Sequence, residues 1–229
     1  MKLAIMQPYF FPYIGYWQLI SAVDTFVIYD DVNYVKKGYI NRNQILVNNA
    51  SHLMTLELVG ASQNKRINEV VVGGNLTKIW KTIELAYKKA PYFKEVSPLL
   101  RDILKNKESD LVGFLVFLIR GVCDYLDITM DVFLSSELEK NGLLKGQDKV
   151  LDICGLLQAE QYINAIGGQE LYQKEVFSHK NIDLSFIRSK SIDYKQFREP
   201  FIPNLSIIDV LMFNDKEQVK QYLTEFELV

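Results

Sequence analysis

The stretch Met6-Gln7-Pro8-Tyr9-Phe10-Phe11-Pro12-Tyr13-Ile14-Gly15-Tyr16, continued through an apolar run to Val23 and then Thr25-Phe26-Val27-Ile28-Tyr29-Asp30-Asp31, decides the fold. Ahead of it, Lys2 to Met6 reads as a short strand buried on both faces. Behind it, Ile14 to Val23 puts Trp17, Ile20 and Val23 on one side, and Leu19 and Ala22 widen that stripe at helical spacing. Asp24 to Tyr29 returns to residues favoured in strands. The crossover from Pro8 to Val23 is long enough to join two parallel strands, so the chain opens as a βαβ unit. Ligands on open α/β sheets sit beyond the carboxyl ends of the strands. Gln7 ends the first strand and Asp30 and Asp31 end the second, which predicts that they face one crevice. Pro8 and Pro12 stiffen the loop between them, and Gly15 allows close backbone approach.

The 229 residues are 48% hydrophobic, enough for a substantial core. A net charge of −2 argues against electrostatic nucleic-acid binding. Cys123 and Cys154 fall within apolar helical patterns and read as buried free thiols. Nothing at Met1-Lys2 resembles a signal peptide, and no run reaches the roughly 18 apolar residues of a membrane span. These features predict a cytoplasmic protein.

Farther along, Tyr39 to Val47 and Leu53 to Val59 read as strands of a hairpin around Asn48-Asn49-Ala50-Ser51. Ile67 to Val72 is another candidate strand. Helices are predicted from an Asn75 cap to Pro91, from Ser97-Pro98, and from a Ser109 cap to Leu126. Thr129 to Leu134 returns to the sheet, ahead of Ser135-Ser136, and Gly146 to Gln158 is helical. Tyr162 to Ile166 is a strand ending in Gly167-Gly168, a turn able to present backbone N–H groups to an anion. Ile182, Leu184 and Phe186 alternate with polar residues as in a half-exposed strand, and helices capped by Ser206 and Asp215 close the chain. With no repeat and no linker, the expectation is one α/β domain over 1–229. Its sheet is of parallel type, opened by the βαβ unit, with a hairpin, a largely helical covering layer, and a helical insertion around 75–127.

Gln7-Pro8 with Pro12 and Gly15, Asp24 before Phe26-Val27, Asp30-Asp31-Val32, Lys36, Asn41-Arg42-Asn43, Ser135-Ser136 and Ser206-Ile207-Ile208-Asp209 occur in an order that resembles the WbqC-like family. That family is associated with bacterial surface-polysaccharide gene clusters. The resemblance implies a role in modifying amino sugars or nucleotide sugars by attachment of an acyl or aminoacyl group. The order strand, loop, Ile14-Gly15-Tyr16, helix, Asp24, strand is also similar to adenylate-forming and nucleotidyl-transferring enzymes with a His-x-Gly-His loop, the pantothenate synthetase type among them. Here Gly15 is retained but Tyr13 and Tyr16 stand at the two histidine positions, so those histidines are not available to phosphate. Ser135-Ser136 is similar to the distal Ser-Ser of that superfamily, without the basic residue expected close behind it.

If an amine attacks an acyl donor, a base must take its proton and a donor must hold the oxyanion. Asp30 is the candidate base, with its neighbour Asp31 on the opposite face of an extended chain. Lys36, Arg42 or the Gly167-Gly168 backbone are candidates for the oxyanion. Arg42 between Asn41 and Asn43 offers a planar fork for phosphate or carboxylate. Gln7, Tyr9, Gly15, Asp31, Asn41, Asn43, Ser135, Ser136, Gly167 and Gly168 complete the candidate binding residues, and the Tyr9 to Tyr16 aromatics offer rings to stack on a sugar or base, or else pack in the core. His52 and His179 lack ligand spacing, so no metal site is expected, and no motif names a cofactor. The leading expectation is an acyl or aminoacyl transferase acting on a nucleotide-linked amino sugar, with an acyl or aminoacyl carrier protein as a candidate partner. A nonenzymatic protein that binds nucleotide sugars or organises a complex is the first alternative, and an ATP-dependent amide ligase the second.

Overall fold

A computed structural model describes residues 1–229. The chain opens with strand β1 (Lys2–Met6), helix α1 (Ile14–Ser21) and strand β2 (Thr25–Ile28). β1 and β2 are parallel, from Leu3 beside Thr25 to Met6 beside Ile28. A long excursion follows: strands β3 (Arg42–Val47), β4 (Ala50–Thr55), β5 (Leu58–Val59) and β6 (Val71–Val72), then helices α2 (Leu76–Tyr87), α3 (Phe93–Lys105) and α4 (Leu111–Tyr125). The chain re-enters the sheet as β7 (Asp131–Leu134), then runs through α5 (Gly146–Leu156), β8 (Gln161–Ala165), α6 (Lys174–Ser178) and β9 (Asp183–Ser189). Helices α7 (Ile207–Phe213) and α8 (Lys216–Leu223) and strand β10 (Phe226–Leu228) end it.

The central sheet has the order β10-β9-β8-β1-β2-β7, parallel except for the antiparallel edge strand β10. A parallel sheet needs cover on both faces, and alternation along β1 sends its side chains to two different cores. Ala4 joins the large core, which holds α1, the three excursion helices and α7. Leu3 and Ile5 join a smaller one with Val150, Ile153 and Cys154 of α5 and Phe177 of α6. α1 is buried from Ile14 through Ile20, because both the sheet and α8 pack on it. Its one interior amide, Gln18, donates to the carbonyls of Tyr222 (2.8 Å) and Glu225 (3.0 Å).

Several boundaries differ from the sequence expectations for local reasons. Asn48 and Asn49 both adopt left-handed backbone (φ 52° and 59°), the requirement of a two-residue hairpin turn, so Ala50 and Ser51 stay in the β3–β4 ladder. Ile67 to Glu69 is a single 3-10 turn, because Asn68 N–H bonds the Asp30 carbonyl, and only Val71–Val72 pair with β5. α3 starts at Phe93, ahead of Ser97-Pro98, since Val96, Leu100, Ile103 and Leu104 form one buried stripe that outweighs one lost backbone bond at Pro98. The cap of α4 is Asp110, accepting from Gly113 N–H at 2.9 Å. Asn75 precedes α2 as expected, but its side chain bonds Glu57 N–H and the Thr55 carbonyl, each at 2.9 Å. Ser206 and Asp215 cap α7 and α8. Cys123 and Cys154 are free and buried, and burial pushes each thiol up to about 12. No helix is long and apolar enough to cross a membrane.

Candidate functional site

β1 and β8 are adjacent and parallel at the middle of the sheet, and the chain leaves them toward opposite edges. That divergence opens a crevice beyond their carboxyl ends. Its volume is about 570 Å³. Gln7 from the end of β1 and Asn164 from β8 line it, with Gly15 and Tyr16 from the first turn of α1 and Gly167 and Gly168 after β8. The rest of the wall combines the rings of Tyr9, Tyr13, Tyr29, Tyr39 and Tyr172 with aliphatic side chains such as Ile5, Leu19 and Leu171. No acidic, basic, histidine or cysteine side chain lines it. Burial pushes the phenols of Tyr9, Tyr16 and Tyr172 above their ordinary value and that of Tyr29 up to about 12, so all four are neutral hydroxyls at physiological pH. The crevice can stack rings and exchange neutral hydrogen bonds.

The loop from Pro8 to Tyr13 carries two of these tyrosines, and it is held in a strained conformation. Phe11 has φ 43°, costly for a bulky residue. Its carbonyl accepts from Asn43 Nδ2 and Ser206 Oγ, both at 2.8 Å. The next carbonyl, of Pro12, accepts from Trp17 Nε1 at 3.0 Å and Ile207 N–H at 2.9 Å. Tyr39 is carried by a neighbouring turn, where Lys37 has φ 63°. Arg42 closes that turn by donating from Nε to the Gly38 carbonyl at 2.9 Å and from its terminal nitrogen to the Lys37 carbonyl. Asn41 accepts from Tyr34 Oη and donates to the Leu56 carbonyl, each at 2.8 Å. The Arg42 and Asn43 side chains are thus spent on backbone that shapes the aromatic wall, and Asn41 ties Tyr34 to the Leu56 carbonyl. Gly15 is fixed by space: a Cβ there would lie 2.5 Å from the Tyr13 ring and 2.6 Å from Ser189 Oγ.

A second polar cluster lies at the ends of β2 and β7. Asp30 is buried and accepts from Ser136 N–H (2.9 Å), Ser136 Oγ (2.5 Å) and Asn68 Nδ2 (3.2 Å). Asp31, facing the other way, meets Lys149 Nζ at 2.8 Å and Lys140 Nζ at 2.9 Å. Burial raises its carboxyl, but the Lys149 and Lys140 ammoniums outweigh that and hold it below the ordinary range. Lys140 also donates to the Ser135 carbonyl, and Lys149 stands 4.7 Å over the Tyr29 ring.

Gln7, Tyr9, Gly15, Gly167 and Gly168 therefore share one cavity, and Asn43 lines a pocket that adjoins it through Tyr9, Tyr13 and Tyr39. Asp30, Asp31, Ser135 and Ser136 form a clamp behind Tyr29, and Lys36 is exposed on the 33–41 loop. Asp30, Lys36 and Arg42 do not line the crevice. Sequence reasoning missed Asn164, Tyr29, Tyr39, Tyr172 and Asn204, which stand singly in unremarkable strands and loops. Lys149 did leave a signal: it lies four residues before Ile153, on the apolar face of α5. No three His, Cys, Asp or Glu side chains gather as a metal-ligand set.

Comparison with known proteins agrees with the motif order. The chain is 29% identical over 228 residues to an uncharacterized protein of Mycobacterium tuberculosis, Rv1507c, with 97% of each chain covered. No solved structure matches. A model of the WbqC-like protein family matches residues 7–221, and on that match the chain belongs to the WbqC-like protein family.

Proposed function

We propose that this chain binds a nucleotide-linked amino sugar in the crevice between β1 and β8 and serves surface-polysaccharide assembly by passing an acyl or aminoacyl group to the sugar amine. The observation that carries the reading is the uncharged, tyrosine-lined crevice at the point where the sheet reverses its winding. Phenol rings offer stacking for a base, and Gln7 and Asn164 offer amides that both donate and accept. Asp30 acts in this reading as a positioning residue, since its oxygens are taken by Ser136 and Asn68. Arg42 positions Tyr39 through the Lys37–Gly38 turn.

The test has two stages. Calorimetry with nucleoside diphosphates, nucleotide sugars and the free sugars measures binding; incubation with activated donors, including carrier-protein thioesters, followed by mass spectrometry seeks the amide product. The proposal expects nucleotide amino sugars to bind best and to gain the acyl mass. Failure of every nucleotide to bind would sink it. One observation favours a second reading, a nonenzymatic nucleotide-sugar-binding protein: the crevice wall carries no group that titrates near neutrality. Tight binding without product across the donor panel would establish that alternative.

A further inference from the structure

Beside the crevice lies a smaller pocket of about 340 Å³, lined by Tyr9, Pro12, Tyr13, Tyr39, Asn43 and Asn204. It shares Tyr9, Tyr13 and Tyr39 with the crevice, so a ligand can extend from one into the other. We propose that this pocket is a subsite for a pyranoside ring. The inference rests on the reading above only for the nucleotide end of the ligand.

The lining chemistry selects the class. A pyranose ring presents C–H groups on its faces and hydroxyls around its rim. Tyrosine rings have electron-rich faces suited to the first, and phenol and amide groups that donate and accept suit the second. Tyr39 is 54% exposed and Tyr13 40%, so both rings are open to a ligand. Asn204 is exposed as well, while Asn43 is fixed by its bonds to the Phe10 and Phe11 carbonyls. The backbone is strained on both sides, at Phe11 (φ 43°) and at Asn204 (φ 58°), a pattern concentrated at ligand sites. Tyr9, Tyr13 and Tyr39 are the pocket's only titratable groups, and burial raises the phenols of Tyr9 and Tyr13 further. The lining carries no charged group, and the tyrosine faces that meet a sugar's C–H groups also attract an ammonium, so the pocket takes an amino sugar in either charge state.

The test uses two methyl glycosides without any nucleotide, one of an N-acetylated hexosamine and one of the matching free hexosamine, with binding followed by calorimetry or saturation-transfer NMR between about pH 6 and about pH 9. The N-acetylated probe is expected to bind with no pH dependence. The free hexosamine is expected to bind across the same range. Asn204→Gly, which keeps the left-handed backbone and removes the amide, should weaken both glycosides about tenfold and leave a nucleoside diphosphate unaffected. Tyr39→Ala should weaken both kinds of probe, because Tyr39 lines both cavities. Unchanged affinity in Asn204→Gly, or no glycoside binding at all, would each overturn the subsite. The nucleoside diphosphate measured alone reports on the crevice, so the two readings fail separately.

Discussion

Asp209, which is buried, and Asp31, which is half-buried, have opposite linkage to pH, because one is held by neutral donors and the other by ammoniums. Asp209 on α7 accepts from Tyr87 Oη (2.8 Å), Tyr194 Oη (2.7 Å) and Gln196 Nε2 (2.8 Å). Burial pushes its carboxyl above the ordinary value, and those hydrogen bonds only partly oppose the shift. The folded state therefore keeps the proton longer. Its contribution to stability is complete below the unfolded pKa of about 3.9 and fades as pH rises through the folded value. Asp209→Asn leaves one buried O–H facing an amide nitrogen and should cost about 2 kcal/mol, read from denaturant midpoints. The gap between wild type and this variant should narrow as pH rises. For Asp31, held down by Lys149 and Lys140, the sign reverses: its contribution is present above about 3.9 and lost as pH falls through the lowered folded value. Asp31→Asn should cost about 2 kcal/mol at neutral pH, and that gap should close on acidification. Gly15→Ala tests packing alone. Its Cβ must displace the Tyr13 ring, so a loss of about 1–2 kcal/mol together with weakened ligand binding is expected.

The elements around the crevice divide into rigid strands and an aromatic loop fixed from outside. β1 and β8 need no help, since their neighbours satisfy the backbone on both sides. The Pro8–Tyr13 loop has no ladder, and its strained carbonyls are instead bound by Asn43 of β3, Trp17 of α1, and Ser206 and Ile207 at the start of α7. Two elements distant in sequence, β3 and the start of α7, thus hold one loop together with the adjoining helix α1. The Lys37–Gly38 turn depends chiefly on Arg42. Arg42→Ala should therefore weaken ligand binding several-fold by releasing Tyr39, with little change in the thermal midpoint, because the turn is exposed. Arg42→Lys should not restore binding, because one ammonium cannot reproduce the geometry of a fork across two carbonyls. A parallel loss of melting temperature and circular dichroism would instead make Arg42 a general stability residue. At the β3–β4 turn, Asn49→Gly should stabilise by about 0.5 kcal/mol, since glycine meets the positive φ at less cost.

At the scale of the whole molecule, the sheet was legible in the sequence because parallel strands are continuous apolar runs, but the opening βαβ unit pointed to a crevice between β1 and β2 that Gln7 would share with Asp30 and Asp31, whereas the cavity opens between β1 and β8 and neither aspartate lines it. Gln7 and Gly15 follow from the βαβ unit, and Gly167 and Gly168 from the separate strand–Gly–Gly turn. The rest of the wall was not legible, since Tyr29, Tyr39 and Tyr172 converge only through tertiary packing and each alone reads as an ordinary core tyrosine. The polar motif residues misled for a related reason. Asp30 and Arg42 have the chemistry of catalysts, but Asp30 is bonded to Ser136 and Asn68 and Arg42 to the Lys37 and Gly38 carbonyls, and neither lines the crevice. That division gives a prediction for the assembled protein. A ligand spanning both cavities meets three segments far apart in the chain, 7–16, 39–43 and 164–172, together with Tyr29 and Asn204. Nucleotide sugar at about 100 times its Kd should stabilise the fold by about 2.7 kcal/mol, raising the melting temperature by about 5–10 °C. Hydrogen exchange should slow in those three segments together, while β7, behind the Asp30–Ser136 clamp, stays unchanged. Protection confined to residues 131–149 would move the site to the Asp31–Lys140–Lys149 cluster, because only a ligand seated there would order that edge without touching the tyrosines.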